Sequence, residues 1–241
     1  MDTLRVQDKG KTKLIAHRGL SGIELENTLA AFVAAGNRSY YGMETDVHVT
    51  RDGQFVIFHD DRTGRVAQKD LSLEESDFSA IRKLLLRERG TDGGYTDMQR
   101  PLLLQEFLRV AKRYEKVAFI ELKNPMKREH LFKVADICAE EYDLSRIVFI
   151  SFCYENLLGM RERLPEQRMQ FLTGEISDEL VGRLSRDGIG ADVEHSALNE
   201  IWIRKLHEKG LAVNCWTCDD PAAAGKLIGM GVDLITTDIL E

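Results

Sequence analysis

Short apolar runs rich in β-branched residues alternate with amphipathic runs along almost the whole chain. The strand candidates are 13–16, 42–48, 54–58, 117–122, 146–150, 168–172, 188–193, 211–215 and 232–236. Between them, apolar residues recur at helical spacing over 26–36, 102–114, 127–142, 154–163, 177–186, 197–209 and 221–229. This alternation predicts an α/β architecture built on a parallel sheet. Residue chemistry marks several boundaries. Gly36, Gly210 and Gly231 follow helical runs, where a C-terminal cap is expected. Pro221 comes after Asp219 and Asp220, the order expected of a capped helix start.

Nine strand candidates are one more than a closed eightfold barrel needs. Arg51-Asp52-Gly53 is a turn signal that joins 42–48 to 54–58 as a hairpin or bent strand, which leaves eight βα-type units and a (β/α)8 TIM barrel. An open doubly wound sheet would be supported by a Gly-rich dinucleotide loop after the first strand, and none is present. Residues 61–100 interrupt the alternation and read as an insertion near the barrel mouth within a single 1–241 domain. In that stretch Ser72-Leu73-Glu74-Glu75 has the pattern of a capping box for one short helix. A second helical run covers 79–89, and Gly90-Thr91-Asp92-Gly93-Gly94 follows it.

Composition narrows the function classes. A length of 241 residues suits one barrel, and 43% hydrophobic with 30% charged residues describes an ordinary globular chain. The formal net charge of −7 argues against a nucleic-acid partner and means that an anionic substrate needs a local positive patch. No apolar run approaches the roughly 18 residues of a membrane span, and the polar segment 1–13 lacks the apolar core of a signal peptide. Cys138, Cys153, Cys215 and Cys218 are too few for a disulfide framework and fit a reducing cytoplasm. Cys215 and Cys218 form a lone CxxC. Without a second pair it makes no zinc site, and i and i+3 on a strand point to opposite faces, so the spacing reads as coincidence.

The chemistry is concentrated in the first sixty residues and at one later strand end. His17-Arg18-Gly19 ends the first apolar run, Glu44-Thr45-Asp46 opens the second and His59-Asp60 closes the third. Glu44 and Asp46 share a strand face, with Cβ atoms roughly 7 Å apart, so both carboxylates can converge on one hard cation. His48 shares that face too but points further along the strand, as a neighbour of the site. Glu121 and Lys123 share a face at the end of another strand, where a barrel places active-site residues, with Leu122 turned into packing. Glu44, Asp46 and Glu121 contribute a charge of about −3 against about +2 from Arg18 and Lys123. Such a site repels a phosphodiester until one divalent cation, magnesium, calcium or manganese, brings the sum to about +1. Histidine as a residue type can take or give a proton near neutral pH, so His17 and His59 can flank a scissile bond as a proton donor and acceptor. His130, His195 and His207 lie in or beside helical runs without a partner motif and take no role.

Taken together, these residues resemble the glycerophosphodiester phosphodiesterase family. The matching segments are Ile15-Ala16-His17-Arg18-Gly19, Glu26-Asn27-Thr28, Glu44-Thr45-Asp46-Val47, Phe58-His59-Asp60, Glu121-Leu122-Lys123, Ser151-Phe152, Cys215-Trp216-Thr217 and Gly231-Val232-Asp233 with Thr237-Asp238. The resemblance implies a (β/α)8 barrel that hydrolyses glycerophosphodiesters to glycerol 3-phosphate and an alcohol. It implies His17 and His59 as general acid and base, and Glu44, Asp46 and Glu121 as ligands of a divalent cation. Arg18 and Lys123 would contact phosphate, Trp216 would line the pocket and Asn27 would support it. Attack by the substrate's own neighbouring hydroxyl, through a cyclic phosphate, is the route suggested for related enzymes, with direct attack by water the other. Only Ile239-Leu240-Glu241 follows Thr237-Asp238, so the family's last helix should be short or absent, and the family's frequent proline there is missing.

Three other readings compete with this one. A related phosphodiesterase acting on lysophospholipids, or on choline lipids as sphingomyelinase D relatives do, would need an exposed apolar rim, for which Leu84-Leu85-Leu86 is the candidate. A barrel that binds a phosphate ligand without catalysis would be expected to lack a histidine or a carboxylate, yet both histidines and all three carboxylates are present. A structural or assembly subunit has no sequence feature in its favour. Oligomeric state is not encoded in any motif.

Overall fold

Side chains alternate in and out of the sheet, and that alternation separates two apolar layers. In the strand Val117–Leu122, Val117 and Phe119 face an inner cluster with Ile15, Val148, Ile150 and Leu172, whereas Ala118, Ile120 and Leu122 join the outer cluster under the helices. The computed structural model describes residues 2–88 and 94–241. Its strands are β1 (Lys13–Ala16), β2 (Gly42–Val49), β3 (Phe55–Ile57), β4 (Leu86–Arg87), β5 (Tyr95–Thr96), β6 (Leu102–Leu103), β7 (Val117–Leu122), β8 (Ile147–Ser151), β9 (Met169–Thr173), β10 (Gly190–Glu194), β11 (Val213–Trp216) and β12 (Leu234–Thr237). Its helices are α1 (Leu29–Gly36), α2 (Phe78–Ile81), α3 (Leu104–Arg113), α4 (Arg128–Glu141), α5 (Tyr154–Arg163), α6 (Asp178–Asp187), α7 (Glu200–Glu208) and α8 (Pro221–Gly229).

Eight of the strands pair in parallel in the order β1-β12-β11-β10-β9-β8-β7-β2, and β1 pairs with β2 through Ile15↔Gly42 and Ala16↔Met43 to close the barrel. The expected (β/α)8 TIM barrel is therefore present. β3 is the antiparallel partner of β2 across the turn at Gly53, whose φ is +74°, and β6 extends it. Polar caps start the helices: Thr28, Ser177, Asn199 and Asp220 each accept a backbone N–H from the first turn with their side chains. Gly210 and Gly231 take positive φ just past α7 and α8, as expected of C-terminal glycines. No helix follows β12 among the described residues. Instead the Leu4 N–H donates to the Ile239 carbonyl at 3.0 Å and the Glu241 N–H to the Leu4 carbonyl at 2.8 Å.

The departures from the sequence reading lie mainly at two places. Residues 26–28 form a loop and α1 starts at Leu29, because Asn27 adopts a left-handed φ of +56°. In the excursion, Ser72–Glu75 is a turn, and the helix over 79–89 is a single turn, α2, followed by β4. Here tertiary packing overrides helical spacing: Leu73, Ile81, Leu84 and Leu86 fill a separate small cluster with Val56, Phe58, Val66 and Ala67. Leu84 and Leu86 are thus buried and offer no rim for a lipid. Of Gly90-Thr91-Asp92-Gly93-Gly94, all but Gly94 lies outside the described residues.

Gly36 is also not a cap. It is the last residue of α1, and a Cβ there would lie 2.4 Å from the Tyr114 ring, where α1 meets the end of α3. Gly36→Ala should therefore lower stability by about 1–3 kcal/mol in a urea melt, as overpacking does. Gly229→Ala, at a helical position with no atom within 4 Å of the new Cβ, should be neutral or stabilising by about 0.5–1 kcal/mol. Equal midpoints for the two variants would show that the close approach at Gly36 is not a constraint.

Candidate active site

The β2–β7 register sets Asp46 opposite Glu121, and Glu44 follows two residues earlier on the inner face of β2. Carboxylate oxygens of Glu44, Asp46 and Glu121 all lie within 4.8 Å of one another, and all three side chains are buried. Three like charges at that distance in a low-dielectric site raise one another's proton affinity. Burial, then Asp46 and Glu121, pushes Glu44 well above the usual carboxylate range. Burial and Asp46 push Glu121 up to about 7. Burial acts on Asp46 as well, but Arg18 and Lys123 outweigh it and hold that carboxyl below its ordinary value.

Short bonds fix the cluster. Lys123 Nζ lies 2.8 Å from Glu121 and 3.4 Å from Asp46. The Arg18 backbone N–H donates to Glu44 Oε2 at 2.8 Å, and the Asn27 amide donates to Asp46 Oδ2 at 2.8 Å. Thr45, on the opposite face of β2, donates its hydroxyl to Asn27 Oδ1 at 2.8 Å, so the side chain orientation of Asn27 is set from two sides. Arg18 and Asn27 reach these positions in left-handed conformations, with φ of +53° and +56°. For non-glycine residues that is strained backbone, and here it turns an N–H and an amide onto the carboxylates. Glu44 Oε1 and Asp46 Oδ1 remain buried without a hydrogen-bond partner. Two orphaned carboxylate oxygens beside Glu121 form a donor set of hard oxygens that fits a divalent cation.

Both histidines of the motif face this cluster. His17 Nδ1 bonds Asp238 Oδ1 at 2.7 Å, and its Nε2 is 4.0 Å from Glu44. His59 Nδ1 bonds Asp60 Oδ1 at 2.6 Å. A carboxylate only accepts, so each Nδ1 carries the proton and each Nε2 is left as the reactive nitrogen. Arg65 holds Asp60 through Nε at 2.6 Å and drives its carboxyl down to about 2, with His59 adding to the effect. Arg65 also grips Glu26 with two bonds of 2.7 Å, and Glu26 in turn accepts from Arg18 Nη1 at 2.9 Å. Burial lowers the proton affinity of His59 below the ordinary histidine value, and Arg18 and Lys123 add to that, against the opposing pull of Asp46 and Asp60.

His17, Arg18, Glu44, His59, Glu121 and Trp216 line one cavity of about 120 Å³. Ile150, Phe152, Leu172, Asp192, Thr217 and Thr236 complete it. The Trp216 indole N–H donates to the Asp192 carbonyl at 3.1 Å, and Phe152 packs edge-on against the ring at 5.4 Å. A larger cavity of about 790 Å³ opens at the other end of the barrel, among the first residues of β1, β9, β10 and β12, and contains none of these groups.

Asp46, Asn27 and Lys123 are not among the lining residues but touch them: Arg18 Nε lies 3.5 Å from Asp46, the Asn27 N–H donates to the Arg18 carbonyl at 2.9 Å and Lys123 lies 2.8 Å from Glu121. His48 is not part of the carboxylate cluster. Its Nε2 donates to the His59 carbonyl at 3.2 Å, which places the histidine strand end. β11 ends at Trp216, so the strand argument does not reach Cys218. Both thiols lie in the same outer apolar cluster, where burial raises their proton affinity and leaves them inert. Asp60, Asp238, Glu26 and Arg65 were not singled out from the sequence as partners of the histidines and of Arg18. A carboxylate adjacent to a strand-end histidine is the one signal that marks Asp60, whereas Arg65 and Asp238 meet the site only through the fold.

Comparison with known proteins identifies the family. Residues 17–241 match the glycerophosphoryl diester phosphodiesterase family. The Bacillus subtilis protein YhdW is 31% identical over 242 residues, covering 93% of each chain. Glycerophosphodiester phosphodiesterase of Bacillus altitudinis is 25% identical, covering 94% of each chain. An Oleispira antarctica phosphodiesterase, solved in complex with the product sn-glycerol-3-phosphate, superposes with a TM-score of 0.84 at 25% identity, covering 94% of this chain and 92% of that one. With the match running from the first histidine of the site to the last residue of the sequence, this protein is a member of the glycerophosphoryl diester phosphodiesterase family.

Proposed function

We propose that this chain hydrolyses glycerophosphodiesters to glycerol 3-phosphate and an alcohol, using a divalent cation and the His17–His59 pair. The observation that carries the reading is the pairing of two orphaned carboxylate oxygens with two carboxylate-anchored imidazoles around one cavity. Glu44, Asp46 and Glu121 would hold the cation. Magnesium, calcium or manganese there would supply positive charge for an anionic phosphodiester and for the charge that builds on its oxygens. Arg18 and Lys123 add the remaining positive charge at the phosphate, Trp216 forms the pocket wall and Asn27 holds Asp46 in place.

The proton steps belong to the histidines. One Nε2 accepts the proton of the attacking oxygen, which is the substrate's adjacent hydroxyl or a water molecule. The other Nε2 delivers a proton to the departing alcohol oxygen as the P–O bond breaks. Asp238 and Asp60 keep each ring oriented. Four free cysteines are consistent with the cytoplasm as the working compartment. Among the described residues no helix is long and apolar enough to cross a membrane.

Chelation should abolish hydrolysis of a panel of glycerophosphodiesters, and magnesium, calcium or manganese should restore it. Full turnover by the chelated, metal-free protein would remove the cation from the mechanism. His17→Ala and His59→Ala should each reduce turnover by roughly 10²-fold or more. The double variant should lose far less than the product of the two, since the residues act as a unit. Calcium affinity should be unchanged in all three, because the proposed ligands are carboxylates.

The pH profile of kcat/KM should be bell-shaped, with its acid limb set by the histidine that must be neutral. Burial lowers His59, so its neutral form persists to more acidic pH. With His59 as the base, activity should fall only below about 6.5, the ordinary histidine value. A flat profile between about pH 5 and 9 would contradict a histidine pair.

A further inference from the structure

The cavity wall facing the carboxylate cluster carries a fourth buried carboxyl that the reaction above leaves unused. Asp192 lies on β10, four strands from β2 in either direction around the barrel, and so directly across it from Glu44. It is 1% exposed and lines the cavity. Its Oδ2 accepts a hydrogen bond from Asn214 Nδ2 at 3.0 Å, and Asn214 is itself held by Thr236 at 3.2 Å. Its Oδ1 is buried and has no partner. Among the described residues no lysine, arginine or histidine pairs with it. Between Asp192 and the carboxylate cluster, Ile150 and Leu172 form one side of the wall, and Trp216 and Thr236 the other. The cavity therefore has a charge-rich pole at the carboxylate cluster and, across the barrel, one carboxyl oxygen without a hydrogen-bond partner.

A buried polar atom without a partner is costly, and a group that stays orphaned in the free protein is a candidate for ligand contact. We propose that Asp192 is a specificity-determining residue whose Oδ1 hydrogen-bonds the terminal hydroxyl of the substrate's glycerol half. The inference rests on the phosphodiesterase reading above and deepens it. The phosphate end belongs at the charged pole, so the hydroxyl furthest from phosphorus reaches the opposite pole. A hydroxyl suits Oδ1 in either protonation state, because it can donate to a carboxylate or accept from a carboxylic acid. Burial and Glu121, opposed by the Asn214 bond, push the carboxyl well above the usual range.

The test compares a glycerophosphodiester with the matching 1,2-propanediol phosphodiester, which keeps the hydroxyl beside the ester and lacks the terminal one. Wild-type protein should favour the glycerol diester by roughly ten- to a hundredfold in kcat/KM, the range expected when a buried polar group loses its partner. Asp192→Ala should lose that factor on the glycerol diester alone, leaving the propanediol diester unchanged. Asp192→Asn, which keeps a donor and an acceptor, should retain most of the discrimination. Equal losses on both substrates would overturn the proposal and leave Asp192 as a structural member of the barrel floor. If Asp192→Ala does not fold, inhibition of the wild type decides. Glycerol 3-phosphate should inhibit at least tenfold more tightly than 1,2-propanediol phosphate, and equal inhibition would overturn the proposal. Loss of activity towards every glycerophosphodiester in the wild type would instead refute the phosphodiesterase reading, a result distinct from equal use of the two diesters.

Discussion

Three carboxylates held within 4.8 Å of one another in a buried site are the constraint around which the rest of this structure is arranged. Each is expensive to ionise beside the others, and removal from water adds to that cost. The protein answers with fixed donors and two cations. Asn27 and the Arg18 N–H bond two of the oxygens, Lys123 lies against Glu121 and Asp46, and the Arg18 side chain sits 3.5 Å from Asp46. Glu44 Oε1 and Asp46 Oδ1 are still left without a hydrogen bond, the latter with only the Lys123 ammonium at 3.4 Å, and those are the oxygens a hard cation would take. The strained backbone at Arg18 and Asn27 follows from the same need, since an unstrained loop would turn those donors elsewhere.

The barrel supplies the precision that the cluster requires. Parallel pairing of β2 with β7 puts Asp46 opposite Glu121, and closure of β1 onto β2 brings the His17-Arg18 loop over Glu44. β3 returns antiparallel along β2 and delivers His59 from the other side, with His48 bonded to its carbonyl. Charge then alternates outward from the site: Asp46, Arg18, Glu26, Arg65, Asp60 and His59 form one connected network.

The strand–helix alternation was legible because both faces of the barrel strands are buried, which leaves β-branched runs with sharp ends. Glu44, Asp46 and Glu121 were legible because two-residue spacing on a strand fixes a shared face, whatever surrounds it. What local pattern could not show was set by contacts distant in sequence. Asp238 reaches His17 across 221 positions, and Asp192 is orphaned only because Asn214 and Thr236 engage each other and its second oxygen. In the excursion the helical spacing of 79–89 misleads, since Leu84 and Leu86 serve a local cluster that Leu86 enters from the short strand β4. Gly36 was misread for a similar reason: its missing side chain makes room for Tyr114 and does not relieve the backbone.

If the carboxylate cluster is built for a cation, binding must expel the protons that burial and mutual repulsion hold on Glu44 and Glu121. Calorimetric titration of the metal-free protein with calcium, repeated in buffers of different ionisation enthalpy, counts those protons directly. The expected result is net proton release that grows as pH falls below about 7, where Glu121 becomes protonated in the free protein. Calcium binding with no proton release between about pH 6 and 8, or no binding at all, would contradict the central role given to this cluster.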